Sequence, residues 1–222
     1  MRRVGGSKIF KFDLLAYITL LLLFLCQFVW ASDSFEARVD SLSKRNKNFA
    51  AASKILHKPE INTPDELRQA ISHLNEALKR EKSNLDKSVI ETALAQIYLI
   101  GLRDCARAKR HSVVATRLDP GSDHALEIDV SCDMCIAGAA KDYGAAIRRL
   151  EKLAEQGRYL RSLYSLLGTA YLIKSDQTDA QADVLKAKEA FVKAQGRGEP
   201  EASPNALRRS IEELDQRLQR AQ

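Results

Sequence analysis

The chain has 222 residues, is 45% hydrophobic and 29% charged, and carries a formal net charge of +6. That balance excludes a disordered or low-complexity chain and suffices for one domain with a continuous core. Only 5 prolines, 10 glycines and 6% aromatics, with abundant Ala, Leu, Lys, Arg and Glu, favour an all-α chain.

Residues 1–13 hold Arg2, Arg3, Lys8 and Lys11, and the 17 residues 14–30 are free of charge. Val29-Trp30-Ala31 places small residues at the −3 and −1 positions of a cleavage site before Ser32. A basic flank, an apolar run and a small-residue exit predict a secretory signal over residues 1–31. The run is also just long enough to span a bilayer, so an uncleaved N-terminal anchor, touching membrane through residues 9–31, is the alternative. In either case the flank stays cytoplasmic and the rest is exported. Removing residues 1–31 takes away four basic side chains and one acid and leaves a net charge of +3. The remaining charges alternate along helix faces, as on a solvated surface. Arg103, Arg107, Lys109 and Arg110 form the densest basic group. Without interleaved aromatics they do not read as a nucleic-acid footprint.

Phe35, Val39, Leu42, Phe49, Ile55 and Leu56 predict a long first helix with a polar middle at residues 43–48, where it can break. Thr63-Pro64-Asp65-Glu66 is a helix start: N-cap, proline at the first position, and a glutamate reaching back as a capping box. That helix runs to about Glu81. The next spans about 86–100, ended by Gly101. Asp104 caps another, which stops at the turn signature Asp119-Pro120-Gly121. Ser122 or Asp123 opens a helix to about Ala140. Residues 142–172 read as two amphipathic helices folded back at Gly157, a left-handed C′ glycine. Gly168 lies inside the second, where it lets a neighbour approach closely. Residues 174–179 form a polar insertion, residues 180–194 another helix, and residues 195–204 a loop. Ser203-Pro204 opens a terminal helix striped by Leu207, Ile211, Leu214 and Leu218.

One pattern recurs on every second helix: an alanine, a large apolar residue four later, and a small or apolar residue three after that. It occurs as Ala70, Leu74, Ala77; as Ala146, Leu150, Leu153; as Ala187, Phe191, Ala194; and more weakly as Ala108, Ser112, Ala115. Leu167, Gly168 and Tyr171 occupy a first helix. These residues resemble the tetratricopeptide superfamily, and Ala154-Glu155-Gln156-Gly157 is similar to the junction of its longer Sel-like relatives. The anchor alanines are 38, 38 and 41 residues apart, against about 34 in a tetratricopeptide unit, so these are lengthened units. The resemblance covers roughly residues 49–200. It implies an all-α, right-handed superhelical array of about four antiparallel helix pairs over residues 32–200. Residues 201–222 then form a C-terminal capping or interaction helix. The alternative is an ordinary helical bundle with alanine-rich faces.

The resemblance also implies a concave groove lined by Ile90, Ala93 and Ile97; by Ile128, Ser131 and Cys135; and by Ser162, Ser165 and Thr169. These residues are small or apolar. They suit an apolar helix or strand, the chain's own terminal helix, or plain core packing.

Cys132-Asp133-Met134-Cys135 is the sharpest local feature. No thioredoxin-like strand precedes it, it sits within a helix, and Asp129 and Asp133 disfavour a thiolate. Residues i and i+3 of a helix have Cβ atoms about 5–6 Å apart, too far for an undistorted disulfide. In the repeat reading Cys105 starts one unit's second helix and the pair lies in the next unit's first helix. Antiparallel packing then favours Cys105–Cys135 over Cys105–Cys132. Buried free thiols, a metal site completed by His111 or His124, and a redox pair stay open. His57 and His73 read as isolated surface residues. The chain has no HExxH, GxSxG or P-loop pattern, and Gly196-Arg197-Gly198 lacks the strand a phosphate cradle needs.

These readings predict an exported, non-catalytic scaffold that binds a protein or peptide, needs no cofactor, and serves an envelope or secretory assembly. The second reading is a thiol-redox or metal-handling protein using Cys132 and Cys135.

Overall fold

The computed structural model describes residues 33–58, 63–157, 161–178, 180–195 and 204–220. The expected signal or anchor over residues 1–31 and the Gly196-Arg197-Gly198 tripeptide lie outside them. The described residues are all-helical, with no strand. The helices are α1 (Asp33–Arg45), α2 (Lys47–Leu56), α3 (Pro64–Arg80), α4 (Asn84–Gln96), α5 (Cys105–Leu118), α6 (Asp123–Ala140), α7 (Gly144–Glu155), α8 (Arg161–Thr178), α9 (Gln181–Gln195) and α10 (Pro204–Arg220). A π-helical turn, Ile97–Gly101, continues α4. No described helix is long and apolar enough to cross a membrane.

Local chemistry accounts for most helix ends. The expected first helix breaks at Asn46, whose side-chain oxygen accepts from the backbone N–H of Asn48 and Phe49 at 3.2 Å each. Its amide nitrogen donates to the Ala77 carbonyl at the end of α3, at 3.4 Å. One buried asparagine thus serves the start of α2 and the end of α3, groups that helix geometry leaves without partners. At Thr63 both halves of the capping box are present: Glu66 N–H to Thr63 Oγ1 at 3.3 Å and Thr63 N–H to Glu66 Oε2 at 2.9 Å. Ser83, Asp104 and Ser122 cap α4, α5 and α6 through their side-chain oxygens.

The structure adds detail at three helix ends. Gly101 does end its helix, as the last residue of the π turn, and Arg103 just beyond takes the left-handed conformation, at φ 54°. Gly101 is needed because a Cβ there would meet Leu67 Cδ1 at 2.6 Å. At the end of α6 it is Lys141, also at φ 54°, that closes the helix, with Asp142 N–H bonding the Ala137 carbonyl at 3.1 Å. Residues 174–178 are not a loop but the last turn of α8. Ser175 is buried there and donates to the Leu172 carbonyl at 2.7 Å, and Lys174 pairs with Asp183 at 3.0 Å. Gly157 does adopt a left-handed conformation, at φ 76°.

Helices pack chiefly on their chain neighbours: α2 on α3, α4 on α5, α5 on α6, α8 on α9, and α9 on α10. Alternate helices also meet, α4 on α6 and α6 on α8, and α1 reaches α4. Two apolar cores result. One is built from α1 to α4 around Leu42, Leu74, Ile90 and Leu94. The other runs from α6 to α10 around Leu150, Leu163, Phe191 and Leu214. A smaller cluster of Ala95, Leu99, Ala108, Ile128 and Cys132 lies between them. The repeated alanines Ala70, Ala108, Ala146 and Ala187 are all buried. At Gly168 the neighbouring helix comes close: a Cβ there would stand 2.8 Å from the Phe191 ring.

Candidate functional site

Functional groups gather where α5, α6 and α7 meet. Cys105 and Cys135 are joined by a disulfide, with Cα atoms 5.8 Å apart and 30 residues between them in sequence. Cys105 lies in the first turn of α5 and Cys135 near the end of α6. The antiparallel packing of the two helices brings these positions level. Cys132 is a buried free thiol one helical turn away. Burial, reinforced by Asp129 and Asp133, pushes it up to about 12. Cys132 therefore stays protonated at neutral pH and is a poor nucleophile.

Beside Cys132 runs a charge network absent from the sequence reading. Asp129 is fully buried. Lys109 from α5 reaches Asp129 at 2.9 Å and Asp133 at 2.6 Å. Arg149 from α7 bonds both carboxylates, and Ser112 donates to Asp129 Oδ1 at 2.6 Å. Burial pushes the Asp129 carboxyl up, but hydrogen bonds from Arg149, Ser112 and Lys109 outweigh it and hold the group below its ordinary value. Two cations and two anions thus clamp three helices in one register.

A second polar group sits on α4 and α5. Glu91, largely buried, bonds His111 Nδ1 at 2.7 Å. The His111 ring stacks on Tyr98 with centroids 5.3 Å apart, and Arg107 stands over the Tyr98 ring at 5.6 Å. A third links the alternate helices. Gln96 on α4 bonds His124 on α6 at 3.2 Å, and Ser162 on α8 donates to Glu127 on α6. Phe35 from α1 covers His124, with ring centroids 4.3 Å apart. Burial holds the His124 imidazole down at about 4.

His111 and His124, weighed from sequence as zinc ligands beside the cysteines, are instead engaged with Glu91 and with Gln96. Among the described residues no group of three or more His, Cys, Asp or Glu side chains is placed to hold a metal. Of the expected groove residues, Ile90, Ile97, Ile128, Ser131 and Thr169 are buried. Ile90 and Ile97 share their core with Phe35, Val39 and Leu42 of α1, so α1 covers that end. Ala93, Cys135, Ser162 and Ser165 remain partly exposed.

Gln96, Glu127 and Asp129 were missed from sequence because each contact spans some 20 to 35 residues. The only hint was four acids and no Lys or Arg on residues 123–140, beside four Lys or Arg and no acid on residues 105–118. Comparison with protein-family models, with curated proteins and with solved structures gives no match to this chain.

Proposed function

We propose that the chain is an exported, non-catalytic scaffold: about four lengthened tetratricopeptide-like helix pairs in a right-handed superhelical array, closed by α10. It docks a protein or peptide in an envelope or secretory assembly. The observation that carries this reading is the contact order. With α1 and α2 taken as one helix broken at Asn46, the extensive helix contacts join elements one or two places apart in the chain, while α1 also reaches further, through Phe35 on His124 and Arg38 on Asp119 at 2.5 Å. A solenoid has that dominant pattern, because each unit packs mainly on its neighbours. The buried alanines at repeat spacing support it, and the disulfide suits an oxidising compartment.

The partner's site is the partly exposed face holding Ala93, Ser162 and Ser165. The thiol-redox or metal-handling alternative is disfavoured by the burial of Cys132 and by the occupation of Cys135 in the disulfide. A photo-crosslinking amino acid placed at Ser165 tests the proposal in the native host. One discrete adduct, retained under reducing conditions and in Cys132→Ser, supports the scaffold. No adduct from Ala93, Ser162 or Ser165, or adducts that vanish in Cys132→Ser, would sink it.

A further inference from the structure

We infer that the outer face of α5 is a second docking surface, and that it takes an acidic segment of a partner polypeptide. This extends the scaffold reading by naming a surface and the chemistry of what it holds.

Helix α5 contains no acidic residue. Its buried positions, Ala108, Ser112 and Ala115, turn one face inward. The opposite face presents Arg107, Arg110, Val114 and Arg117 at spacings of three and four residues, all exposed. Arg103 is exposed on the turn just before the helix. Lys109, the remaining base, points inward to Asp129 and Asp133 and is spent there. Among the described residues Arg103, Arg110 and Arg117 form no ion pair; Arg107 pairs with the N-cap Asp104 at 3.2 Å and stands over the Tyr98 ring. Three of the four acids of the neighbouring helix α6 are directed elsewhere: Asp129 and Asp133 to Lys109 and Arg149, and Glu127 to Ser162; the fourth, Asp123, lies in the first turn of α6.

The result is a predominantly basic ridge roughly 20 Å long, from a rise of 1.5 Å per residue, with Asp104 the one acid at its start. It is built from arginines, whose planar forks match carboxylates. Val114, 37% exposed, breaks the ridge with an apolar foothold. A line of cations about an apolar point fits an acidic chain running along the helix, with one apolar side chain facing Val114. A helix that lies on a lipid surface needs an apolar stripe beside its cations, and among the described residues of α5 Val114 is the single exposed large apolar side chain.

The test uses the full-length protein in mild detergent and a fluorescein-labelled amphipathic peptide of Glu and Leu, with a Gln-for-Glu copy as control. The expected result is binding about tenfold tighter for the Glu peptide at low salt, fading as salt screens it. In Arg107→Glu/Arg110→Glu/Arg117→Glu that preference disappears while the circular dichroism and melting curve are kept; a triple Gln variant gives an intermediate loss. Equal binding of the two peptides overturns the proposal. So does an unchanged preference in the charge-reversed protein, or stronger arginine-dependent binding to phosphatidylglycerol vesicles or single-stranded DNA than to the Glu peptide. None of these failures removes a Ser165 crosslink, so the scaffold reading is judged separately.

Discussion

The two ends of the molecule and its middle are held together differently. The core of α1 to α4 and the core of α6 to α10 are assembled from Leu, Ile, Phe and Ala in ordinary interhelical packing. The seam between them has a small apolar cluster and relies on a disulfide and buried charges. Apolar packing stabilises in proportion to area, is non-directional, and tolerates repacking that conserves volume. A carboxylate that must meet a lysine, an arginine and a serine allows no such freedom. The ends are thus held by buried apolar area, and the seam by specific pairings whose loss is costly and which set how the two ends are aligned.

The sharpest way to break this contrast is Asp129→Ala. It leaves Lys109 and Arg149 sharing Asp133 alone in a partly buried site, and removal of one partner from a buried network costs about 4 kcal/mol. Urea unfolding reads the loss. Leu74→Ala, in the apolar core, costs about 3 kcal/mol without altering the alignment of α5 on α6. Cys105→Ser/Cys135→Ser comes next. Closing a loop across 30 residues contributes about 3.5 kcal/mol by loop-closure entropy. The comparison is wrong if neither seam variant lowers stability more than Leu74→Ala does.

A third prediction sharpens the boundary between α1 and the seam. The His124 imidazole is held at about 4, against an ordinary value of 6.5. Phe35 of α1 and Gln96 of α4 face it, with Glu127 of its own helix 4.0 Å away. The folded state binds this proton less readily than the unfolded one. The contribution is therefore fully present above pH 6.5 and is lost as pH falls towards 4, by about 3 kcal/mol at most. Other carboxylates titrate in the same range, so the quantity to measure is the difference between wild type and His124→Gln in urea unfolding from pH 8 to pH 4. A constant difference across that range refutes the assignment.

Within the C-terminal core, Gly168→Ala tests the closest helix approach. The added methyl would sit 2.8 Å from the Phe191 ring. Overpacking costs about 2 kcal/mol, even though alanine is the better helix former. Thermal melting of Gly168→Ala beside a control at an exposed position of α3, Gln69→Ala, separates the two effects. An unchanged or higher melting point for Gly168→Ala would show that α8 and α9 are looser than described.

How legible each part was from the sequence follows from the range of its causes. Thr63, Asp104, Ser122 and Gly157 act on residues within one turn, so their roles could be read directly. The buried stripes Leu67, Ala70, Leu74, Ala77 and Ala146, Ile147, Leu150 obey the helical period for the same reason. The close approach of Leu67 to Gly101 joins residues far apart in the chain, and no local pattern announces it, the π turn after Gln96 or the left-handed Arg103. Asp129 and Asp133 could be read only as anions near the cysteines, because Lys109 and Arg149 arrive from different helices. The burial of Ile90 and Ile97 was hidden for a similar reason: whether α1 covers them depends on how a broken first helix folds back at Asn46.

The smallest effect tests the local end of the same contrast. In Thr63→Ala the Glu66 N–H loses its acceptor, although the Glu66 carboxylate can still accept from the residue 63 N–H. Loss of an N-cap oxygen at an exposed helix start costs about 1 kcal/mol. Because this cap touches neither core nor seam, its effect adds to that of Asp129→Ala, as independent distant sites do. The double variant therefore loses the sum of the two single losses in urea unfolding. A shortfall of more than about 0.5 kcal/mol would mean that the start of α3 and the α5–α7 seam are energetically coupled, and that the ends and the middle are not the separate devices their chemistry describes.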